Sequence, residues 1–237
     1  MIYTLPSRVR FSEIDEHKNM TLYALINYLQ DCATFHGEAA GVGIDHNLAE
    51  NHAWMIADLQ LSVHRYPKFG EEILVSTWSH GCRGMIGYRD FSIETPNGEL
   101  LAAAASNWVF MDIEKQIPVR VPMDQIEAYG VHQEKKIEED LGKRKVRIPE
   151  EGTDHTTFTI QEYHLDTNRH MNNGQYVRIA RKYLPVGMEV HHMRLEFKKQ
   201  AFLGDAITPR VAEADGKYII TLNDRNGDAC FAGEFAQ

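Results

Sequence analysis

Apolar residues recur at helical spacing near the start of the chain, and this pattern predicts an amphipathic helix over residues 22–35. One apolar stripe runs along it, formed by Leu22, Leu25, Ile26, Leu29, Cys32 and Ala33. Thr21 or Asn19 is suited to cap its start, because both side chains accept hydrogen bonds from free helix amides. Gly37 and Gly41 are expected to end it.

A second helical pattern lies far down the chain, over residues 176–184. Its apolar positions are Tyr176, Ile179, Ala180, Tyr183 and Leu184. Asn172 or Asn173 is the expected cap, and Pro185 stops the helix because proline lacks the amide that a further turn requires.

Strand-like segments follow the first helix. Residues 59–63 alternate between apolar and polar side chains, as expected for a strand with one buried face. Residues 72–78, 84–94 and 100–111 predict three more strands. Thr95-Pro-Asn-Gly98 between the last two is typical of a hairpin turn. The first half therefore predicts a helix packed on an antiparallel sheet.

The second half of the chain repeats the first. Asp15-Glu-His-Lys-Asn-Met20 aligns with Asp166-Thr-Asn-Arg-His-Met171, and each lies just before a predicted helix. Two further pairs follow in the same order: Leu59 through Ile73 with Met193 through Ile207, and Asn97-Gly98-Glu99 with Asn226-Gly227-Asp228. Matches in a conserved order indicate a duplication, so we expect two α+β units, joined through one continuous sheet.

The composition limits the classes of function. The 237 residues carry a net charge of −9, with 43% hydrophobic and 10% aromatic residues. This is typical of a globular protein and argues against a nucleic-acid-binding one. Cys32, Cys82 and Cys230 are dispersed and odd in number, which fits a reducing compartment better than a disulfide framework. No segment resembles a signal peptide or a membrane span.

Three polar residues precede the second helix at two-residue spacing: Asp166, Asn168 and His170. In an extended segment their side chains would share one face and converge, with the amides of the helix start beside them to polarise a carbonyl. The alternative is structural, since an Asp before a helix is often a cap and an Asn pair is often a turn.

A zinc site is disfavoured by the histidine spacing. The sequence has no H-E-x-x-H motif, and His191 and His192 are adjacent in a predicted strand, where they face opposite sides.

The segment from Asp166 resembles the catalytic segment of the acyl-acyl carrier protein thioesterases, a family of double hot-dog enzymes. Their motif is D-x-N-x-H followed by an Asn pair and a Tyr; here these are Asp166, Asn168, His170, the pair Asn172-Asn173, and Tyr176. The first half is also similar, in HRYPKFGEEILVSTW, Arg83-Gly-Met, Arg89-Asp90 and Ser106-Asn-Trp108-Val.

The resemblance implies a tandem, or double, hot-dog of the α+β class, in which two helix-on-antiparallel-sheet units form a fused pseudo-dimer. We expect an N-terminal hot-dog over 1–130 holding the acyl chain and a catalytic C-terminal hot-dog over 153–237. Between them, residues 131–152 are rich in charge and predict a solvated linker; a carrier-binding patch is the alternative.

The resemblance also implies roles for individual residues. Asp166 would activate water or attack the carbonyl directly, His170 would orient it and handle the proton, and Asn168 would fix the geometry. Asn173 would bind substrate. Trp54, Met55 and Trp108 would line an acyl tunnel beside the first helix, although core packing is the simpler explanation of such residues.

The chain departs from the family at one site residue. The family carries a Glu and then a Cys in the strand after the catalytic helix, and here Gln200 and Ala201 stand in those places. A Cys nucleophile is therefore excluded there, and the general base must come from elsewhere, because an amide cannot take a proton at neutral pH. Gln200 would position water or the carbonyl.

The implied activity is hydrolysis of the thioester of a fatty acyl-acyl carrier protein, releasing a free fatty acid. The expected partner is an acyl carrier protein bearing a fatty acyl chain; no metal, organic cofactor, nucleic acid or membrane span is expected, and a homodimer is left open. Because the plastid leader of plant relatives is missing, we expect a cytoplasmic protein. The alternatives are an acyl-coenzyme A thioesterase of the same fold and a catalytically silent acyl-binding module.

Overall fold

The computed structural model describes residues 1–137 and 145–237. It divides into two compact units, Met1–Asp140 and Leu141–Gln237, here called unit 1 and unit 2. Each unit carries an α-helix before the main strands of an antiparallel sheet, in agreement with the α+β prediction. In the described residues, no helix has the length and apolar character needed to cross a membrane.

In unit 1 the sheet has the strand order β1-β3-β4-β5-β2, with a short β6 paired to β5. The strands are β1 (Tyr3–Arg8), β2 (His52–Val63), β3 (Glu72–Arg83), β4 (Ile86–Glu94), β5 (Leu100–Asp112) and β6 (Ile117–Pro118). Its helices are α1 (Leu22–Ala39), α2 (Ile44–Ala49) and α3 (Met123–Tyr129). Helix α1 packs against β1 and β3.

Unit 2 repeats this plan with the strand order β9-β12-β11-β10-β7, and β8 pairs with β10. The strands are β7 (Thr153–Asp154), β8 (Phe158–Thr159), β9 (His192–Phe197), β10 (Ala206–Ala214), β11 (Lys217–Asn223) and β12 (Ala229–Ala236). Its single described helix, α4 (Asn173–Arg181), packs against β11 and β12.

Helix α1 begins where the sequence predicts and ends one turn later. The Thr21 hydroxyl accepts the amide of Ala24 at 3.2 Å, so Thr21 is the cap. The helix continues through Gly37, which is therefore not its end. A Cβ at Gly37 would lie 3.1 Å from the Tyr129 hydroxyl, so the glycine permits close packing of α1 against α3. Gly41, at φ +76°, follows the helix.

Helix α4 is capped by Asn172 and ends at Arg181, before the predicted position. Its buried face forms the aromatic core of unit 2. The Tyr176 ring stacks on Phe231 at 5.4 Å and meets Phe197 edge-on at 5.8 Å. Aromatic pairs at these separations contribute about 0.5–1.5 kcal/mol each beyond the area they bury.

The predicted duplication is confirmed by matching hydrogen bonds. Before α1, the amide of Met20 donates to the carbonyl of Pro67 at 2.7 Å. Before α4, the amide of Met171 donates to the carbonyl of Ala201 at 2.9 Å. The two aligned Asn-Gly turns also match, with Gly98 at φ +85° and Gly227 at φ +84°.

The predicted linker is not uniformly solvated. Val146 is buried and packs with Ile219 and Ala232 of the unit 2 sheet. Before it, residues 133–135 form one short 3₁₀ turn. Much of the charge-rich stretch falls on residues 138–144, outside the described residues.

Candidate active site

The segment from Asp166 to His170 is a tight turn, so the expectation of an extended segment is wrong. Leu165 and Met171 form a bridge at its base, and the amide of Asp166 donates to the carbonyl of His170 at 2.8 Å. Arg169 has φ +61°, a left-handed conformation that closes the turn. Alternation of faces along a strand therefore does not apply to Asp166, Asn168 and His170.

One oxygen of Asp166 holds this turn together. Its Oδ1 accepts the amides of Asn168 at 2.8 Å and of His170 at 3.3 Å. This is the Asx-type arrangement in which a short polar side chain satisfies its own backbone. Oδ1 of Asp166 therefore has the structural role that was the alternative prediction. Oδ2 makes no hydrogen bond within the described residues. The carboxylate is held in one orientation with an oxygen to spare.

Unit 1 carries the same turn. Oδ1 of Asp15 accepts the amides of His17 and Asn19, both at 2.9 Å, and Lys18 has φ +64°. The aspartate is therefore a requirement of the turn in both units. What distinguishes unit 2 is the residue at the last, half-buried position of the turn, which is His170 where unit 1 has Asn19.

His170 is held by Phe202 through both its backbone and its ring. Its backbone forms a bridge with Phe202, and its ring meets the Phe202 ring edge-on at 5.0 Å. Burial lowers the pKa of His170 below its ordinary 6.5, and the negative charge of Asp166 opposes this only in part. At neutral pH the imidazole is therefore uncharged and able to accept a proton.

The three side chains do not form a hydrogen-bonded relay. Asn168 is exposed, and no hydrogen bond joins the side chains of Asp166, Asn168 and His170 in the part of the chain that the structure describes. The turn brings them to one loop, where a bound water or substrate would have to connect them.

The start of α4 is less open than the sequence suggests. The Asn172 side chain accepts the amide of Gly174 at 2.8 Å, and the Asn172 carbonyl accepts that of Gln175 at 2.9 Å. These two amides are satisfied by the cap and are not available to a substrate carbonyl. Asn173 is the first residue of the helix and is half-buried.

The segment carrying Gln200 lies against the turn. Gln200 is half-buried, and the next residue, Ala201, is bonded to Met171 through its carbonyl. The amide of Ala201 donates to the hydroxyl of Tyr176 at 3.2 Å. These backbone connections bring the Gln200 segment next to the polar turn of unit 2.

The three predicted tunnel residues do not share one face of the unit 1 sheet. Trp54 pairs with Phe110 and Trp108 with Ile56, so both indoles lie on one face, while Met55 pairs with Val109 on the other. Both indoles have structural partners. Trp54 donates to Gln125 at 3.1 Å, and Trp108 donates to the Ser106 hydroxyl at 2.8 Å.

Sequence reasoning gave no role to a buried polar cluster in unit 1. Arg89 is 8% exposed and donates to Nδ1 of His36 at 2.8 Å and to Thr77 at 3.1 Å, with its guanidinium 5.0 Å from the Tyr129 ring centre. Burial and then the charge of Arg89 lower the pKa of His36 to about 3. The cluster ties α1, α3 and the sheet together. Its sequence signal was a charged residue at an inward position of β4, in the Arg89-Asp90 pair already noted for its similarity to the family.

Metal ligation finds no support in the geometry. No group of three or more His, Cys, Asp or Glu side chains is arranged to hold a metal ion among residues 1–137 and 145–237.

Comparison with known proteins identifies the family. The model of the acyl-ACP thioesterase N-terminal domain matches residues 2–129, and that of the C-terminal domain matches residues 148–233. A chloroplastic palmitoyl-acyl carrier protein thioesterase of Arabidopsis thaliana is 28% identical over 210 residues, which is 81% of this chain and 50% of that protein. The chain thus spans about half the length of this curated relative.

Solved structures show the same fold. An acyl-ACP thioesterase from Bacteroides thetaiotaomicron has a TM-score of 0.88 at 19% identity, covering 99% of this chain and 97% of that one. A 12:0-ACP thioesterase from Umbellularia californica has a TM-score of 0.85 at 18% identity, with coverage of 99% and 96%. The double hot-dog prediction is confirmed. With both of its domains matched in order, the chain belongs to the acyl-ACP thioesterase family.

Proposed function

We propose that this protein hydrolyses the thioester of a fatty acyl-acyl carrier protein and releases a free fatty acid. The observation that carries the proposal is the neutral, half-buried His170, held in a turn whose backbone hydrogen bonds recur in unit 1. There Asn19 takes the same position, and the histidine of that turn, His17, is exposed. Hydrolysis needs a general base, whereas a turn with a purely structural role does not.

In the proposed reaction, water attacks the thioester carbonyl while His170 takes a proton from it. The free oxygen of Asp166 orients the water and stabilises the imidazolium. The tetrahedral intermediate then collapses, the C–S bond breaks, and the proton passes to the departing thiolate. Direct attack by Asp166 is the alternative; it would form an anhydride that water then opens.

The carbonyl oxygen needs hydrogen-bond donors as negative charge develops on it. Since the amides of Gly174 and Gln175 are occupied by the cap, side-chain amides are the better candidates. Asn168 and Gln200 each carry an NH₂ group able to donate. In this scheme Gln200 replaces a carboxylate without loss of function, because its role is donation and not proton uptake.

The carrier protein is the proposed partner, and the exposed side of α4 is its proposed docking face. Near the end of α4 and just after β9, Arg181 donates to the Met188 carbonyl, Lys198 pairs with Glu196, and Lys199 pairs with Asp224. Arg178 and Lys182 are exposed and act together on His164, since both lower its pKa after burial does. These two are the proposed contacts for an acidic carrier.

The division of labour follows the two units. Residues 153–237 would carry the chemistry and residues 1–130 would hold the acyl chain, with Trp54 and Trp108 on one face of the sheet as the candidate lining. We place the protein in a reducing compartment such as the cytoplasm, which the three free cysteines support.

The test is a thiol-release assay with purified acyl-acyl carrier protein and acyl-coenzyme A. Hydrolysis of the carrier substrate with higher kcat/KM supports the proposal. Preference for acyl-coenzyme A would indicate a coenzyme A thioesterase of the same fold. Tight binding of the acyl carrier without thiol release would indicate a silent acyl-binding module. His170→Asn is the matched control, because unit 1 folds with Asn at that position.

A further inference from the structure

Tyr176 lies on the buried face of α4, and its hydroxyl bonds to the segment carrying Gln200. The phenol is 3% exposed, and it accepts the amide of Ala201, which is fully buried. That amide belongs to the peptide unit that follows Gln200. The hydrogen bond therefore fixes the plane of the Gln200–Ala201 peptide, and with it the direction in which the Gln200 side chain leaves the backbone.

The same peptide segment is tied to the turn. The carbonyl of Ala201 accepts the amide of Met171, and Phe202 forms a bridge with His170. Tyr176 thus completes a clamp between α4, the Gln200 segment and the loop of Asp166 and His170. Desolvation is the main cause that raises the pKa of Tyr176, and the charge of Asp166 contributes, so the phenol stays protonated within electrostatic reach of that carboxylate.

Unit 1 offers an internal comparison. The repeat register places Leu25 where unit 2 has Tyr176, and Pro67 where unit 2 has Ala201. The carbonyl of Pro67 still accepts the amide of Met20, so this half of the clamp is kept. The other half is absent, because proline has no amide and leucine has no hydroxyl. Leu25 and Pro67 are both buried.

The comparison separates folding from function. In unit 1 the contact between the helix and the segment that bonds Met20 is made by an apolar side chain and a proline, so the hot-dog fold does not need the hydroxyl. Burying a hydroxyl and an amide instead requires that each find a partner. The polar version occurs in the unit that has His170, and the apolar version in the unit that has Asn19.

We propose that Tyr176 is a positioning residue of the thioester-cleaving site, which uses its hydroxyl to hold the Gln200 peptide at a fixed orientation against the His170 turn. This rests on the proposed function. Tyr176 does not touch the reacting atoms in this scheme. It acts through Gln200, whose side chain donates to water or to the carbonyl, and small errors in such placement cost about a hundredfold in rate.

Two variants of Tyr176 test the proposal. Tyr176→Phe keeps the ring and leaves the amide of Ala201 without a partner. Tyr176→Leu combined with Ala201→Pro copies unit 1 and leaves no unpaired group, so we expect it to melt close to the wild type. For both we expect kcat on acyl-acyl carrier protein to fall about tenfold to a hundredfold with KM unchanged. Tyr183→Phe, a nearby tyrosine whose hydroxyl has no hydrogen bond in the described structure, is the control and should keep wild-type kcat.

A double-mutant cycle with Gln200→Ala gives a readout that a structural role would not move. If Tyr176 acts through Gln200, then Tyr176→Phe costs little further activity once Gln200→Ala is present, and the two effects are not additive. Additive losses would overturn the proposal. So would a wild-type kcat in the variant that copies unit 1, or a failure of both Tyr176 variants to fold, since the hydroxyl would then serve the fold.

The outcome for the proposed function is read separately. An inactive wild type on both acyl substrates would refute the hydrolase. The positioning is then judged by amide hydrogen exchange at Ala201, which should be at least tenfold faster in Tyr176→Phe than in the wild type, with amides of β11 unchanged. Equal exchange rates at Ala201 would overturn the inference whatever the activity.

Discussion

His170 occupies in unit 2 the position that Asn19 occupies in unit 1, at the end of a turn whose backbone hydrogen bonds are the same. The amide of Asp166 donates to the carbonyl of His170 at 2.8 Å, and the amide of Asp15 donates to that of Asn19 at 2.9 Å. The duplicated scaffold has thus kept its backbone frame while its side chains changed. The half-buried position holds a histidine only in unit 2, since His17 of unit 1 is exposed, and this makes unit 2 the candidate for proton transfer.

Replacing His170 by Asn should remove activity and keep the fold. Loss of a general base typically costs 10²–10⁴-fold in kcat, and the turn accepts Asn in unit 1. The measurement is thiol release from acyl-acyl carrier protein beside a thermal melt. Asn19→His in unit 1 is the matched control, and we expect it to leave kcat unchanged. A His170→Asn variant with wild-type turnover would show that another group is the base.

The role of Asp166 must be tested with Asn rather than Ala. An Ala removes the acceptor of two amides and should lower the free energy of unfolding by about 1–3 kcal/mol, which confuses catalysis with stability. Asn keeps Oδ1 and removes only the charge. We expect Asp166→Asn to melt near the wild type and to lose about 10²-fold or more in kcat.

Asp15→Ala is the control for the structural part of that effect. It removes the same two backbone hydrogen bonds in unit 1. We expect a loss of stability similar to that of Asp166→Ala, with kcat retained in the folded fraction. If Asp166→Asn turns over like the wild type, the carboxylate serves the turn alone.

The pH profile should report His170. Because burial lowers its pKa in the folded protein, kcat/KM should fall on the acid side with a midpoint below 6.5 and be flat above it. Gln200→Glu would place a negative charge near the imidazolium, favour it, and move this midpoint upward. We expect its kcat to change less than tenfold, since a general base that was restored would give 10²–10⁴-fold.

Gln200→Met, which adds no charge, should leave the midpoint where it is. An inactive wild type that becomes active in Gln200→Glu would mean that the missing carboxylate is the base and that His170 is wrongly assigned.

Acid should destabilise unit 1 through His36. Its pKa is about 3 in the folded protein and near 6.5 when unfolded, so the unfolded chain binds the extra proton between these values. This contribution to stability is fully present above pH 6.5 and declines by up to about 1.4 kcal/mol per pH unit as the pH falls toward 3. His36→Gln should flatten the dependence of Tm on pH in this window, whereas His46→Gln, on the surface, should not. The same dependence of Tm on pH in the wild type, His36→Gln and His46→Gln would contradict the role given to His36.

Docking of an acidic carrier should depend on Lys182. We expect Lys182→Gln to raise KM for acyl-acyl carrier protein and not for acyl-coenzyme A, and added salt to have the same effect, because charges are screened over about 10 Å at 0.1 M salt. Lys199→Gln is the charge-matched control, since Lys199 is paired with Asp224. A KM for the carrier substrate that is independent of salt would argue against the docking face.

The sequence by itself determined the features that depend on neighbours along the chain. Thr21 caps α1 because its hydroxyl reaches an amide three residues away, and Gly98 and Gly227 close hairpins that each span a few residues. The duplication was also readable, since the same local patterns recur in the same order. Together these gave two helix-on-sheet units and located the polar turn before α4.

Tertiary structure decided how side chains far apart in sequence share the interior. The bond between Tyr176 and Ala201 joins residues 25 positions apart, and the contact of Arg89 with His36 joins residues 53 apart. No local pattern encodes such pairs, because the partner is chosen by strand register and helix packing. For the same reason the sequence misjudged Gly37, which ends no helix but makes room for Tyr129. The sequence pattern also predicted an extended segment at Asp166. The chain turns there instead, because the aspartate side chain accepts the backbone amides of Asn168 and His170.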